Sequence, residues 1–225
     1  MRKWGIIISV VYGLILLGLL FPLGVLLAGE NGLFSPGFIA DVLEGYGEWI
    51  LWVPVVALIV GQVALLALSV DRSQKRLKPR GPVKRSAAVA AMLFTILTLS
   101  AIASIGVAIR SDNFLDKTGE HLVVTLAGLW VAWAVVFYVY LRGKTEITNR
   151  VVSWLLRGSV LELLIAVPCH VIVRRRNDCS APIATGFGIT AGIAIMLLSF
   201  GPSVLLLYKK RMDALRGAPP RHSSV

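Results

Sequence analysis

The chain has 225 residues, of which 56% are hydrophobic and 16% charged. That balance leaves no room for a sizeable soluble domain and places the chain among membrane proteins. The formal net charge of +11 points to anionic surfaces, but the basic residues cluster beside apolar runs and form no separate basic domain. They read as helix-end anchors against anionic lipid headgroups and argue against nucleic acid.

Six apolar runs are each long enough to cross a bilayer, since roughly 20 apolar residues cover about 30 Å of hydrocarbon. None alternates with period two, so the spans are predicted as helices and not as strands of a barrel. The first runs over 4–28, behind Arg2 and Lys3. It is too long for the core of a signal peptide and is expected to be a retained span. Its Gly13, Gly18, Pro22 and Gly24 predict close packing and a kink. The loop 29–48 carries Glu30, Asp41, Glu44 and Glu48 but no Lys or Arg, and an amphipathic stretch at 36–43 is predicted to lie at the membrane surface.

The second span is predicted over 49–70, with Trp49 and Trp52 as an interfacial aromatic belt. The loop 71–86 is strongly basic, with Arg72, Lys75, Arg76, Lys78, Arg80, Lys84 and Arg85, and Pro79, Gly81 and Pro82 keep it from being helical throughout. Span three, 87–109, is rich in Ala, Ser and Thr, which lets helices approach closely and predicts a central position. Span four covers 121–141, span five 151–173 and span six 183–208. The fold class is therefore all-α integral membrane: a six-helix bundle forming one domain over 1–208, followed by a basic tail at 209–225.

The Lys/Arg bias puts both termini in the cytoplasm of a plasma (inner) membrane protein, because the loop 29–48 has no basic residue while the loop 71–86 has seven. Arg174, Arg175 and Arg176 then fall on the outer side, against the rule. The alternative is a re-entrant 151–173, which would instead set Lys209, Lys210 and Arg211 against it.

Span five concentrates the polar chemistry. Glu162 lies eleven residues in, close to mid-bilayer at about 1.5 Å per residue. A carboxylate there costs roughly 2.5–3.5 kcal/mol, so it requires a polar partner, a water-filled cavity or a bound proton. It reads either as a proton or ion site or as a neutral, paired glutamate that locks packing. Ser159, Glu162 and Cys169 share a helical stripe with His170 beside it, whereas Arg157 points away. The candidate partners on other helices are Gln62, Thr95, Thr98, Ser100 and Thr125. Pro168 bends the helix one turn before its end.

Three further features stand near that end. Cys169, His170, Asp178 and Cys179 are soft or borderline ligands that could hold a metal, or a Cys169–Cys179 disulfide, although two cysteines are too few for a disulfide framework. Arg174, Arg175 and Arg176 can bind an anion or lipid headgroup bidentately. Gly188 and Gly192 form a small-xxx-small pair in span six. No histidine pair for haem, no lysine for a retinal Schiff base, no phosphate-binding loop and no hydrolase motif stands in the chain, and no cofactor is assigned.

Three readings compete. The first is a small transporter or channel-like protein for a proton, ion or small anionic solute, using Glu162 and the arginines, and not an enzyme. The second is a non-catalytic subunit or assembly factor of a larger membrane complex. The third is a redox or metal protein using Cys169, His170 and Cys179. The expected partners are a bilayer with anionic lipids and a second copy or a membrane complex.

Overall fold

The computed structural model describes residues 2–29, 35–71, 81–110, 121–143, 147–176 and 181–217, and almost all of these are helical. Within lipid a backbone N–H or C=O finds no water, so each apolar run closes its hydrogen bonds on itself. The helices are α1 (Arg2–Ile15), α2 (Phe21–Ala28), α3 (Phe38–Gly47), α4 (Trp49–Asp71), α5 (Gly81–Arg110), α6 (Leu122–Leu141), α7 (Ile147–Arg176) and α8 (Ala181–Gly217).

Among the described residues five helical stretches are long and apolar enough to cross a membrane: Trp4–Ala28, Val83–Ile109, Leu122–Leu141, Ile147–Arg176 and Ala181–Val204. A sixth is formed if Phe38–Gly47 and Leu51–Ala67 are one span, bent by 76° at its break. The run predicted as span two, 49–70, is helical as α4 but counts as a crossing only together with α3, and most of the stretch predicted at the surface, 36–43, falls in α3. Ile39 and Leu43, one turn apart on α3, are both exposed, while Tyr46 stacks on Phe21 with ring centroids 4.2 Å apart and donates to the Leu17 carbonyl.

The first span is one continuous helix with a π-helical turn at Leu16–Leu20 joining α1 to α2. Pro22 sits in the first turn of α2. It has no N–H for the helical bond to residue 18, and the widened turn accommodates that loss, with Phe21 N–H bonding back to Leu16 O. Helix α5 starts at Gly81, six residues before the predicted 87. Pro82 does not prevent this, because the first turn of a helix has no acceptor for its N–H groups. Helix α7 is continuous through Pro168, and α8 runs to Gly217, past the predicted 208.

Helices α5, α7 and α8 form the centre, each packed on the other two, with α2 and α4 against α8 and α6 against α5. Small side chains allow this: Ala87, Ala90 and Ala91 of α5 are almost wholly buried, and Gly158 of α7 would clash with Phe94 of α5 if it carried a Cβ. Phe94, Trp133, Phe137 and Trp154 interlock α5, α6 and α7. Most of the remaining surface of α6 is exposed and apolar, as suits a helix facing lipid.

Candidate functional site

Three helices each contribute a pair of residues four apart to one point: Ser100 and Ser104 from α5, Glu162 and Ala166 from α7, Gly188 and Gly192 from α8. Four residues is close to one helical turn, so each pair presents a single face. Glu162 is 2% exposed and faces protein. Ser100 Oγ lies 3.1 Å from Glu162 Oε1, and Glu162 Oε2 is buried without a hydrogen-bond partner. Among the described residues no cation pairs with it.

The glycines make the space. A Cβ on Gly188 would lie 2.9 Å from Glu162 Oε1, 2.9 Å from Ser104 Oγ and 3.2 Å from Ala166 Cβ. One on Gly192 would overlap Glu162 Oε2 and stand 2.9 Å from Leu163 Cγ. Both Ser104 Oγ and Glu162 Oε1 are 2.9 Å from one point, so they are at most 2 × 2.9 Å apart. Ser104 is fully buried and its hydroxyl, like Glu162 Oε2, has no partner.

The hydrogen count at Ser100 constrains the carboxyl group. Ser100 Oγ is also 3.0 Å from the Leu97 carbonyl, which can only accept. A hydroxyl has one hydrogen. If Ser100 donates it to Leu97, the contact with Glu162 is a hydrogen bond only when the carboxyl group donates. A neutral acid satisfies both contacts together, and it is also the form that a buried site without a paired cation favours.

The other predicted partners are committed elsewhere. Ser159 is fully buried but donates to its own helix at Leu155 O, 2.8 Å away. Thr95 does the same to Ala91 O at 2.8 Å, and Thr98 to Phe94 O at 2.7 Å while accepting from Trp133 Nε1. Thr125 and Arg157 are exposed. Gln62 is buried against Gly201, its Oε1 unpartnered. Of the five candidates named from sequence, the structure brings Ser100 to Glu162. Ser104 was not among them, although its spacing of four from Ser100 on a helix rich in small residues was a usable signal.

At the far end of α7, His170 Nδ1 is 2.9 Å from Thr185 Oγ1 of α8, and Cys169 packs half-buried beside Val107 and Ala181. Asp178 and Cys179 lie outside the described residues. Among the described residues no three His, Cys, Asp or Glu side chains come together.

The arginines diverge. Arg174 Nη2 donates to the carbonyls of Leu26, Leu27 and Gly29 at 3.3, 2.8 and 2.6 Å. Those are free carbonyls at the end of α2, where the helix dipole is negative and a cation is favoured. Arg176 Nη1 donates to Ala108 O near the end of α5 at 2.6 Å. Arg175 is exposed. Two of the three guanidinium groups are thus spent on helix ends. No protein family, curated protein or solved structure matches this chain.

Proposed function

We propose that this is a small multi-pass transporter or channel-like protein of the plasma (inner) membrane that binds and releases a proton at Glu162. Six crossings, counting α3 with α4 as one, and cytoplasmic termini accord with the Lys/Arg bias of the loops. The observation that carries the reading is Glu162 itself: a carboxyl group buried mid-helix beside the Ser100 hydroxyl, with Oε2 unpartnered and no cation paired to it among the described residues, is a setting that favours the neutral form. A buried ionisable group among small-residue helix faces is where membrane proteins place proton relays. We assign Arg175, which is exposed and, unlike Arg174 and Arg176, has no helix-end carbonyl as partner among the described residues, to anionic headgroups.

The test is proton flux into liposomes holding the purified protein, driven by a potassium diffusion potential. The wild type should conduct or exchange protons above the background of empty liposomes, and Glu162→Gln should abolish this while melting normally. Equal flux in both proteins would refute the assignment. The apolar exposed surface of α6 favours the second reading, a subunit of a larger membrane complex. A stable hetero-complex on purification, together with a silent Glu162→Gln variant, would select it.

A further inference from the structure

We infer that the face of α7 carrying Arg150, Trp154 and Arg157 holds one anionic phospholipid, its phosphate between the two guanidinium groups and an acyl chain along Leu161 and Leu164. The site rests on α7 being a membrane span and does not depend on the proton assignment at Glu162.

The five residues fall at 150, 154, 157, 161 and 164, the spacing of one helical stripe. All five are exposed, so the stripe looks outward from the bundle, away from the buried Leu155, Ser159, Glu162 and Ala166 of the same helix.

Arg157 is the anomaly. Arg150 lies in the first turn of α7. Arg157 is two turns further on, about 10 Å deeper at 1.5 Å per residue. A guanidinium group facing lipid at that depth is costly, and it reaches back toward the headgroups along its own stem. Arg174 and Arg176 spend their charge on helix-end carbonyls. Among the described residues Arg157 makes no hydrogen bond or ion pair, so its charge is left for something outside this chain.

The surroundings suit a lipid better than a second helix. Arg150 Nη1 lies 3.5 Å from the Tyr140 hydroxyl of α6, and Tyr140 meets Trp154 edge to face with ring centroids 5.5 Å apart. Trp154 thus stands between the two arginines as amphipathic rings do at the headgroup level. Beyond Arg157 the stripe is apolar and open through Leu161 and Leu164, which are 61% and 68% exposed. Charge lies at one end and hydrocarbon at the other, as in a phospholipid. Two cations without a carboxylate on the stripe select a net negative headgroup, and guanidinium forks match phosphate oxygens bidentately. A partner helix bearing a carboxylate would need small residues to come close, whereas the neighbours of Arg157 on this face are Trp154, Val160, Leu161 and Leu164. Under the orientation proposed above, this lipid belongs to the cytoplasmic leaflet, and Arg175 stands at the other surface.

The experiment is native mass spectrometry of the purified full chain with added phosphatidylglycerol or phosphatidylcholine, in an Arg175→Gln background that removes the lipid assigned to the other surface. The parent should retain one phosphatidylglycerol in preference to phosphatidylcholine. Arg157→Gln and Arg150→Gln should each weaken that retention by about tenfold or more, the loss of a charge-assisted contact, at an unchanged melting temperature. Arg157→Lys should bind with intermediate affinity, since an ammonium group lacks the fork. If Arg157→Gln melts early, Arg157→Leu, which suits a lipid-facing position, gives the same comparison. Glycerol phosphate at equal concentration, a headgroup without chains, should not displace the lipid. Equal retention of phosphatidylglycerol by the parent and both Gln variants, equal retention of the two lipids by the parent, or displacement by glycerol phosphate would overturn the site. A membrane protein that copurifies with the parent and is lost from Arg157→Gln, with phosphatidylglycerol binding unchanged, would overturn it in favour of a partner's intramembrane carboxylate.

Discussion

Glu162 Oε2 of α7 occupies the place where a Cβ on Gly192 of α8 would stand. The carboxyl group and the missing side chain are two halves of one fit. Together with Gly188, Gly192 lets a mid-membrane glutamate lie in the helix interface instead of holding the helices apart.

Gly192→Ala is expected to destabilise the bundle by about 1–3 kcal/mol, the usual cost of overpacking a filled interior. The cost should shrink when Glu162→Ala is combined with it, because the overlap is with that side chain. Thermal melting in one detergent, arranged as a double-mutant cycle, measures the coupling. Additive losses would show that the Gly192 clash with Leu163 dominates instead.

Glu162→Gln is expected to keep most of the stability, since the amide has the shape of a neutral acid and can donate to Ser100 Oγ. Glu162→Ala should cost more, about 1–3 kcal/mol, through an emptied site and a stranded Ser100 hydroxyl. Unfolding curves of the two variants decide the point. A Gln variant as damaged as Ala would mean that the native carboxyl group is ionised and held by something other than Ser100.

Arg174 and Arg175 should separate cleanly. Arg174→Gln removes a charged donor from the end of α2 and is expected to lower the melting temperature, by roughly 1.5–3 kcal/mol of stability. Arg174→Lys should restore part of it, because an ammonium group can reach a carbonyl but lacks the planar fork. Arg175→Gln should melt as the wild type and lose retained anionic lipid in native mass spectrometry, more so at low salt. Lipid loss in the Arg174 variant at unchanged melting temperature would reverse the two roles.

Single cysteines at Asn31 and Lys78, in a background with Cys169 and Cys179 replaced by serine, should label from opposite sides of the membrane. The motive is the contrast between a loop without Lys or Arg and one with seven. Labelling of both from the same side would show that α4 does not cross.

Glu162 could be singled out from sequence because its oddity is local: a carboxyl group eleven residues into an apolar run is costly whatever surrounds it. Its partner could not. Ser100, Thr95 and Thr98 are similar hydroxyls on one helix, and only the rotation of α5 against α7 aims Ser100 at the carboxyl group while the other two turn back to Ala91 and Phe94. The arginines show the same limit. Their number and position are legible, but the carbonyls that Arg174 takes belong to Leu26, Leu27 and Gly29, nearly 150 residues away in the chain.

The sequence by itself determined that the chain is a set of apolar helices, five or six of them long enough to cross a membrane among the described residues. Apolar length and the need to close backbone hydrogen bonds inside each run are properties of the segment alone. It also marked the small residues at Gly188 and Gly192 as a place of close approach. Only the tertiary structure decided what approaches. Helical periodicity defines a face but not the neighbour across it, and the fit of Glu162 against Gly192, the hydrogen shared through Ser100 and the capping of α2 by Arg174 each depend on how separate helices are rotated and staggered.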